Sequence, residues 1–309
     1  MFKPFRGNTY ILLSLLLVFL IWLIYRVSLM TQTPSEPVAP TPRPHVVAVQ
    51  LDTDTTLDDD LILIDTQYDA LIEIAKPGLT LDCAGHLLSG SAKVIISVSE
   101  TSGVTVRNCR IKAPGIGIQA MATGDLHIEN VQVSSDKRGI FLANVRNATV
   151  TNSRLYAPEA DSKATAIETY QGHEITIEKN DVTGYMQGVL FTASSHFTAR
   201  ENRIDSIVET GIGTFNDGEK GTRNGTIENN TISHCLMGME IYNGSTDIVV
   251  RSNRISDCAT SVVLEDSGTT DRYLAVTGIV FENNVSINNG TPQVNLRNRS
   301  EYEYLITRF

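Results

Sequence analysis

From Val104 to Ile287 the chain alternates apolar and polar residues in short bursts, and one burst pattern keeps returning. The copies read VTVRNCRI (104–111), LHIENVQV (126–133), ATVTNSRL (148–155), ITIEKNDV (175–182), FTARENRI (197–204), GTIENNTI (225–232), IVVRSNRI (248–255) and IVFENNVSI (279–287). Each opens on two apolar residues at period two, the signature of a strand with one buried face, passes through a polar turn rich in Asn, and closes on another apolar residue. Counted from Asn108, the equivalent turn positions are Asn130, Asn152, Lys179, Glu201, Asn229, Ser252 and Asn283, in steps of 22, 22, 27, 22, 28, 23 and 31 residues. Such a period belongs to a solenoid, in which each repeat buries its apolar face only against its neighbours.

A second strand precedes each Asn phrase: GIGI (115–118), GIFL (139–142), AIET (166–169), GVLF (188–191), GIGT (211–214), GMEI (238–241) and SVVL (261–264). The pattern predicts two strands per repeat in an all-β parallel β-helix of roughly nine coils, stacked about 4.8 Å apart. Alternation sends Ile116 and Ile118, Ile140 and Leu142, Val189 and Phe191 inward. One outward row then reads Gly117, Phe141, Glu168, Leu190, Gly213, Glu240, Val263, and the next Gln119, Ala143, Tyr170, Thr192, Phe215, Tyr242, Glu265. Asn suits the turns because it tolerates the left-handed backbone, and its side chain can bond from coil to coil.

The phrase x-T-I-x-N-N-x-I with G-I-x-L resembles the repeats of right-handed parallel β-helix proteins, the pectin-lyase-like superfamily. IAKPGLTLDCAGHLLSG (74–90) resembles the first coil of its NosD-like and uronate-epimerase-like periplasmic members. The resemblance covers about Leu71 to Leu296 and implies a right-handed coil. It implies little about function, because one fold hosts many sites. The Asp-Pro-His-Asp motif of alginate epimerases is missing, as is the polygalacturonase set of Asn-Thr-Asp, Asp-Asp and Gly-His-Gly. Arg110-Ile111-Lys112 matches the last polygalacturonase motif only by letters and lies after the Asn turn. The exposed rows hold no carboxylates arranged like a pectate-lyase calcium site. No cofactor is therefore expected, and Ca²⁺ has no support beyond the family.

Ahead of the repeats, Lys3 and Arg6 precede an apolar run from Tyr10 to Tyr25. With its flanks the run reaches membrane thickness. No small-x-small cleavage site follows, so residues 1–30 read as an uncleaved signal anchor in preference to a cleaved signal peptide. Positive charge at the front places the N-terminus in the cytoplasm and the rest outside, in the periplasm or beyond. Residues 31–46 hold five of the ten prolines and form an extended spacer. A cap with the first coils is expected at 47–75, the β-helix proper at 76–299 and a tail at 300–309. Of the four cysteines, Cys235 and Cys258 share a rung in adjacent coils, and Cys83 and Cys109 lie in neighbouring coils with a one-residue offset. Stacked positions lie within disulfide reach, so each pair is either a disulfide or two stacked thiols.

The 309 residues are 41% hydrophobic, enough for an ordered core. Beyond residue 46, 21 Lys and Arg face 34 Asp and Glu, a net charge near −13. That balance argues against nucleic acid and leaves a neutral glycan, or an acidic one bridged by Ca²⁺. The long insertions, 156–165, 216–224 and 265–278, all wall the sheet of Gly-type strands, where loops on a rigid scaffold carry function.

Two coils of that sheet repeat a carboxylate beside a phenol, Glu168 with Tyr170 and Glu240 with Tyr242, and Phe141 and Phe215 add rings. Rings among hydrogen-bonding groups suit a sugar, with its apolar face and polar rim. Glu168 and Glu240 lie three coils apart, about 14 Å, too far for a glycosidase pair at roughly 5–9.5 Å. Lyase or epimerase chemistry needs a base, an acid and a cation for the uronate carboxylate. The candidates are Glu168 or His173 as base, Tyr170 or Tyr242 as acid, and Arg138 or Lys163 as cation. Phe141, Lys163, Phe215, Asp217, Glu240 and Tyr242 are candidate substrate contacts. The plainer reading has His173 and His196 as solvated turn residues, Arg138 and Lys163 as surface charges, and the Glu-x-Tyr pairs as a solvated face. Two functions follow: a membrane-tethered protein that binds or modifies a polysaccharide of the cell envelope, or a non-catalytic scaffold that docks a protein partner in an envelope assembly.

Overall fold

A computed structural model describes residues 46–64, 68–158, 164–266 and 275–290, with the backbone of two further strands, Val294–Arg297 and Ile306–Arg308. The anchor and nearly all of the spacer lie outside the described residues, as do Lys163 and much of the insertions at 156–165 and 265–278. Among the described residues no helix is long and apolar enough to cross a membrane.

The chain winds as a parallel solenoid of three sheets, with eleven, eleven and ten strands, and every strand pairs with its equivalent one coil away. The nine expected coils run from Ala70 to Ile287, and a shorter coil, from Val47 to Leu63, precedes them in the stretch where a cap with the first coils is expected. Each coil contains three strands where the sequence pattern predicts two. The extra one is the lone apolar residue after the Asn turn with its neighbours, as in Arg154–Tyr156 and Arg203–Asp205. Three residues with one inward side chain leave no periodicity to read.

Like residues stack inside. One column of the first sheet runs Ile72, Ile96, Ile118, Ile140, Ile167, Val189, Ile212, Met239, Val262, all at most 1% exposed. In the third sheet Leu88, Ile111, Val133, Leu155, Val182, Ile204, Ile232 and Ile255 stack likewise, none more than 3% exposed. Burial of similar shapes at each rung keeps the register, because a one-residue slip would turn every apolar side chain outward.

Between the second and third sheets the chain turns at the residues equivalent to Asn108. All eight, including Lys179, Glu201 and Ser252, have φ between 50° and 56°. The residue after each turn points inward, and from Ser153 onward it builds a buried polar ladder through Asn180, Asn202, Asn230, Asn253 and Asn284. The outer face of the second sheet carries an alternating charge row in which Arg200 bonds Glu178 at 2.6 Å and Arg251 bonds Glu228 at 2.7 Å. Both cysteine pairs are disulfides, with Cα–Cα distances of 4.7 Å for Cys83–Cys109 and 4.5 Å for Cys235–Cys258.

Candidate functional site

The outer face of the first sheet presents the two rows, with one correction. Gln119 pairs with Phe141 and Met121 with Ala143, so Gly117 and Gln119 stand two residues out of the expected register. Gly117, not Gly115, is the equivalent of Gly139. Ile116 is accordingly half-exposed beside Arg138, while Ile118 and Ala120 are buried. GIGI holds two glycines that fit the same template, and only the stacking against Ile140 and Ile96 decides between them. From Phe141 onward the rows read as expected: Phe141, Glu168, Leu190, Gly213, Glu240, Val263, and Ala143, Tyr170, Thr192, Phe215, Tyr242, Glu265.

Phe141, Glu168, Tyr170, Phe215, Glu240 and Tyr242 are all half-buried on this face. The ring centroids of Phe215 and Tyr242, one coil apart, are separated by 5.7 Å at a 42° tilt. Phe215 lies flat because its neighbour in the row beside it is Gly213. A Cβ there would come within 2.4 Å of Phe215 Cε2 and 2.9 Å of Leu190 Cδ2. Leu190 is only 6% exposed despite facing outward.

Asp217 anchors the insertion after Phe215. Its Oδ1 accepts the backbone N–H groups of Glu219 (3.0 Å) and Lys220 (2.8 Å), and its Oδ2 accepts the side-chain amide of Gln171 at 2.7 Å. The same Gln171 nitrogen donates to the Tyr170 hydroxyl at 3.4 Å. Tyr170, Gln171 and Asp217 thus form one hydrogen-bonded group that reaches across two coil steps. Partial burial opposes ionisation of Asp217, but the donors on Lys220, Gln171 and Glu219 outweigh it and hold the carboxyl below its ordinary value. Tyr242 moves the other way: burial first, then the Glu265 and Glu240 carboxylates, raise its phenol and keep it a donor. Glu240 Oε2 accepts the Thr210 hydroxyl at 2.9 Å.

The other candidates are placed differently. Arg138 bonds Glu168 through Nε, and its guanidinium carbon sits 4.6 Å from the centroid of the Phe141 ring. That group lies next to a cleft of about 500 Å³ lined by Lys93, Ile116, Gln119 and Arg138. His173 begins the second-sheet strand His173–Glu178, around the corner from the rows. Its Nδ1 lies 3.0 Å from Ser195 Oγ, and its ring centroid lies 4.8 Å from that of His196 in a T-shaped arrangement. Among the described candidates, Arg138 is ion-paired with Glu168, and the His173 imidazole belongs to another sheet than Tyr170 and Tyr242.

Sequence reasoning missed Gln171, Gly213 and Thr210. Gln171 sits at a left-handed corner, φ 53°, equivalent to Ala122, Asn144 and Ala193, a turn row with no common residue to betray it. Among the described residues one group of potential metal-ligand atoms gathers, Asp59, Asp60 and His86, in the first two coils and outside these rows.

Residues 94–221 and 162–306 match a family described as the right handed beta helix region. Similar solved structures include the A-module of the mannuronan C-5 epimerase of Azotobacter vinelandii (TM-score 0.56, 14% identity, 81% of this chain and 77% of that one). Another is the DFA-IIIase of Arthrobacter chlorophenolicus (0.56, 11%, 76% and 68%). A third is the tailspike protein of E. coli bacteriophage HK620 in complex with a pentasaccharide (0.52, 10%, 74% and 46%). At such identities the likeness is one of fold. No curated protein sequence matches significantly. With stacked parallel coils along the whole described chain and family matches reaching from residue 94 to 306, this protein belongs to the right-handed β-helix family.

Proposed function

We propose that this chain is an exported, membrane-tethered β-helix protein that binds a polysaccharide along the outer face of its first sheet. The observation that carries the reading is the Phe215–Tyr242 ring pair, standing in one row with Tyr170 and flanked by Glu168, Glu240 and Asp217. Aromatic faces bordered by fixed acceptors match the apolar face and hydroxyl rim of a pyranose. The fold relatives lend support, since one is named for mannuronan and another is in complex with a pentasaccharide.

Binding is favoured over turnover because Arg138 is committed to Glu168 and His173 lies on the second sheet. Export is supported by the two disulfides, which persist in oxidising compartments. The tether rests on the apolar run of Tyr10 to Tyr25.

The test is affinity electrophoresis of the full chain through gels containing a panel of soluble polysaccharides. Native protein is retarded by at least one of them, and the double variant Tyr170→Ala/Tyr242→Ala loses that retardation. Equal migration of the two proteins on every gel overturns the proposal and leaves this face as a protein-docking surface.

A further inference from the structure

The face has one subsite with its own built-in charge. Phe215 packs against Gly213, and its ring centroid lies 5.7 Å from that of Tyr242 at a 42° tilt, so two half-buried rings stand side by side on the outer face as an apolar platform. Two residues after Phe215 in the chain comes Asp217, half-buried and clasped on both oxygens: two backbone N–H groups of its own loop hold Oδ1, and Gln171 holds Oδ2. The clasp reaches back two coils, since Gln171 follows Tyr170 in the row that contains Phe215. Phe215, Tyr242, Gln171 and Asp217 contain one ionised group, and it is negative, as are the Glu240 and Glu265 carboxylates that act on Tyr242. The donors that fix it are neutral amides, so they orient the carboxylate without cancelling its charge. Arg138 lies three coils away in its bond with Glu168.

We propose that Asp217 acts as a selector beside the Phe215 platform, so that the subsite takes an uncharged pyranose and rejects a uronate. This rests on the glycan-binding reading given above and specifies its ligand class. A neutral sugar stacks its apolar face on Phe215 and Tyr242 and presents hydroxyls to the carboxylate, which accepts them with lone pairs the clasp leaves over. A uronate in the same place brings a second negative charge to within a few ångströms of Asp217, where the partly apolar surroundings weaken screening. The overall acidity of the chain acts in the same direction at long range.

The subsite also depends on Gly213. Any side chain there meets Phe215 Cε2 and Leu190 Cδ2 at contact-breaking distance, so the ring must lift and the platform is lost.

The experiment is calorimetric titration of the full chain in detergent, at low salt with EDTA, against neutral gluco-, manno- and galacto-hexasaccharides and against hexagalacturonate and hexamannuronate. The native protein is expected to bind one neutral hexasaccharide at least about tenfold more tightly than either uronate, as one close like-charge contact would dictate. Asp217→Asn keeps the Oδ1 acceptor of the turn and removes the charge. It should bring the uronates to within about threefold of the neutral ligand. Gly213→Val should weaken the neutral ligand about tenfold or more with an unchanged circular-dichroism spectrum. Native protein that binds a uronate as tightly as any neutral sugar, or an Asp217→Asn variant with the gap intact, overturns the selector while leaving glycan binding in place. Native protein that binds neither class overturns both.

Discussion

The backbone N–H and the side-chain amide of Asn202 both donate to one oxygen, Oδ1 of Asn230, each at 3.0 Å. Asn230 in turn gives its own amide to the Ala199 carbonyl at 2.9 Å and to Asn253 Oδ1 at 3.0 Å. Repeated from Asn180 to Asn284, the arrangement satisfies the turn backbone of each coil with the side chain of the next, at positions no more than 4% exposed.

Replacing Asn230 by Leu therefore orphans two buried donors on Asn202 and removes the amide bond to the Ala199 carbonyl. The expected loss is about 2–4 kcal/mol, read as a lower urea midpoint. A midpoint within experimental error of the native value would mean that the ladder is dispensable.

Phe197 and Gly225 face each other across adjacent coils of the second sheet. A Cβ on Gly225 would come 2.0 Å from the Phe197 ring, which itself stacks on Phe191 at 4.1 Å between centroids. Gly225→Ala is expected to cost about 1–3 kcal/mol by overpacking. Phe197→Leu in the same chain should recover part of it, and a double-mutant cycle of thermal midpoints checks the coupling. Additive effects would refute the shape match.

The two disulfides span 26 and 23 residues. Each closes a loop whose constraint on the unfolded chain is worth about 3 kcal/mol. Cys235→Ala/Cys258→Ala should lower the denaturant midpoint, and a reducing agent should lower the midpoint of native protein but barely move that of a chain lacking all four thiols. Reductant-insensitive native protein would contradict the bonded state.

Asp205 Oδ1 lies 2.7 Å from His234 Nδ1. The hydrogen bond to Asp205, then its charge, raises the His234 imidazole above its ordinary value. Burial works against ionised Asp205, but Ser233, His234 and Ser206 outweigh it and lower the carboxyl. The raised histidine stabilises the fold below its unfolded pKa of about 6.5, and that contribution disappears as pH rises through its folded value. The lowered carboxylate contributes above about pH 4 and is lost on acidification. Imidazole NMR shifts should titrate above the free value in native protein and return to it in Asp205→Asn. An unchanged midpoint in that variant would exclude the pairing.

The repeat phrase alone determined the coil, its apolar columns, the left-handed residue at each Asn-type turn and the two cysteine rungs, because these properties depend on backbone periodicity and on neighbours one coil away. The same logic set the outward rows from Phe141 to Glu265, including the Glu168–Tyr170 and Glu240–Tyr242 pairs. Three-residue strands with one inward side chain escaped it, and the two glycines of GIGI left coil register open until Ile118 was stacked on Ile96 and Ile140. Whether the thiols were joined was likewise a matter of distance in space. Only the folded chain tied Arg138 to Glu168, moved His173 onto the second sheet and sent Gln171 across two coils to Asp217. Such contacts depend on corner conformation and loop path, which vary from coil to coil and leave no period in the sequence.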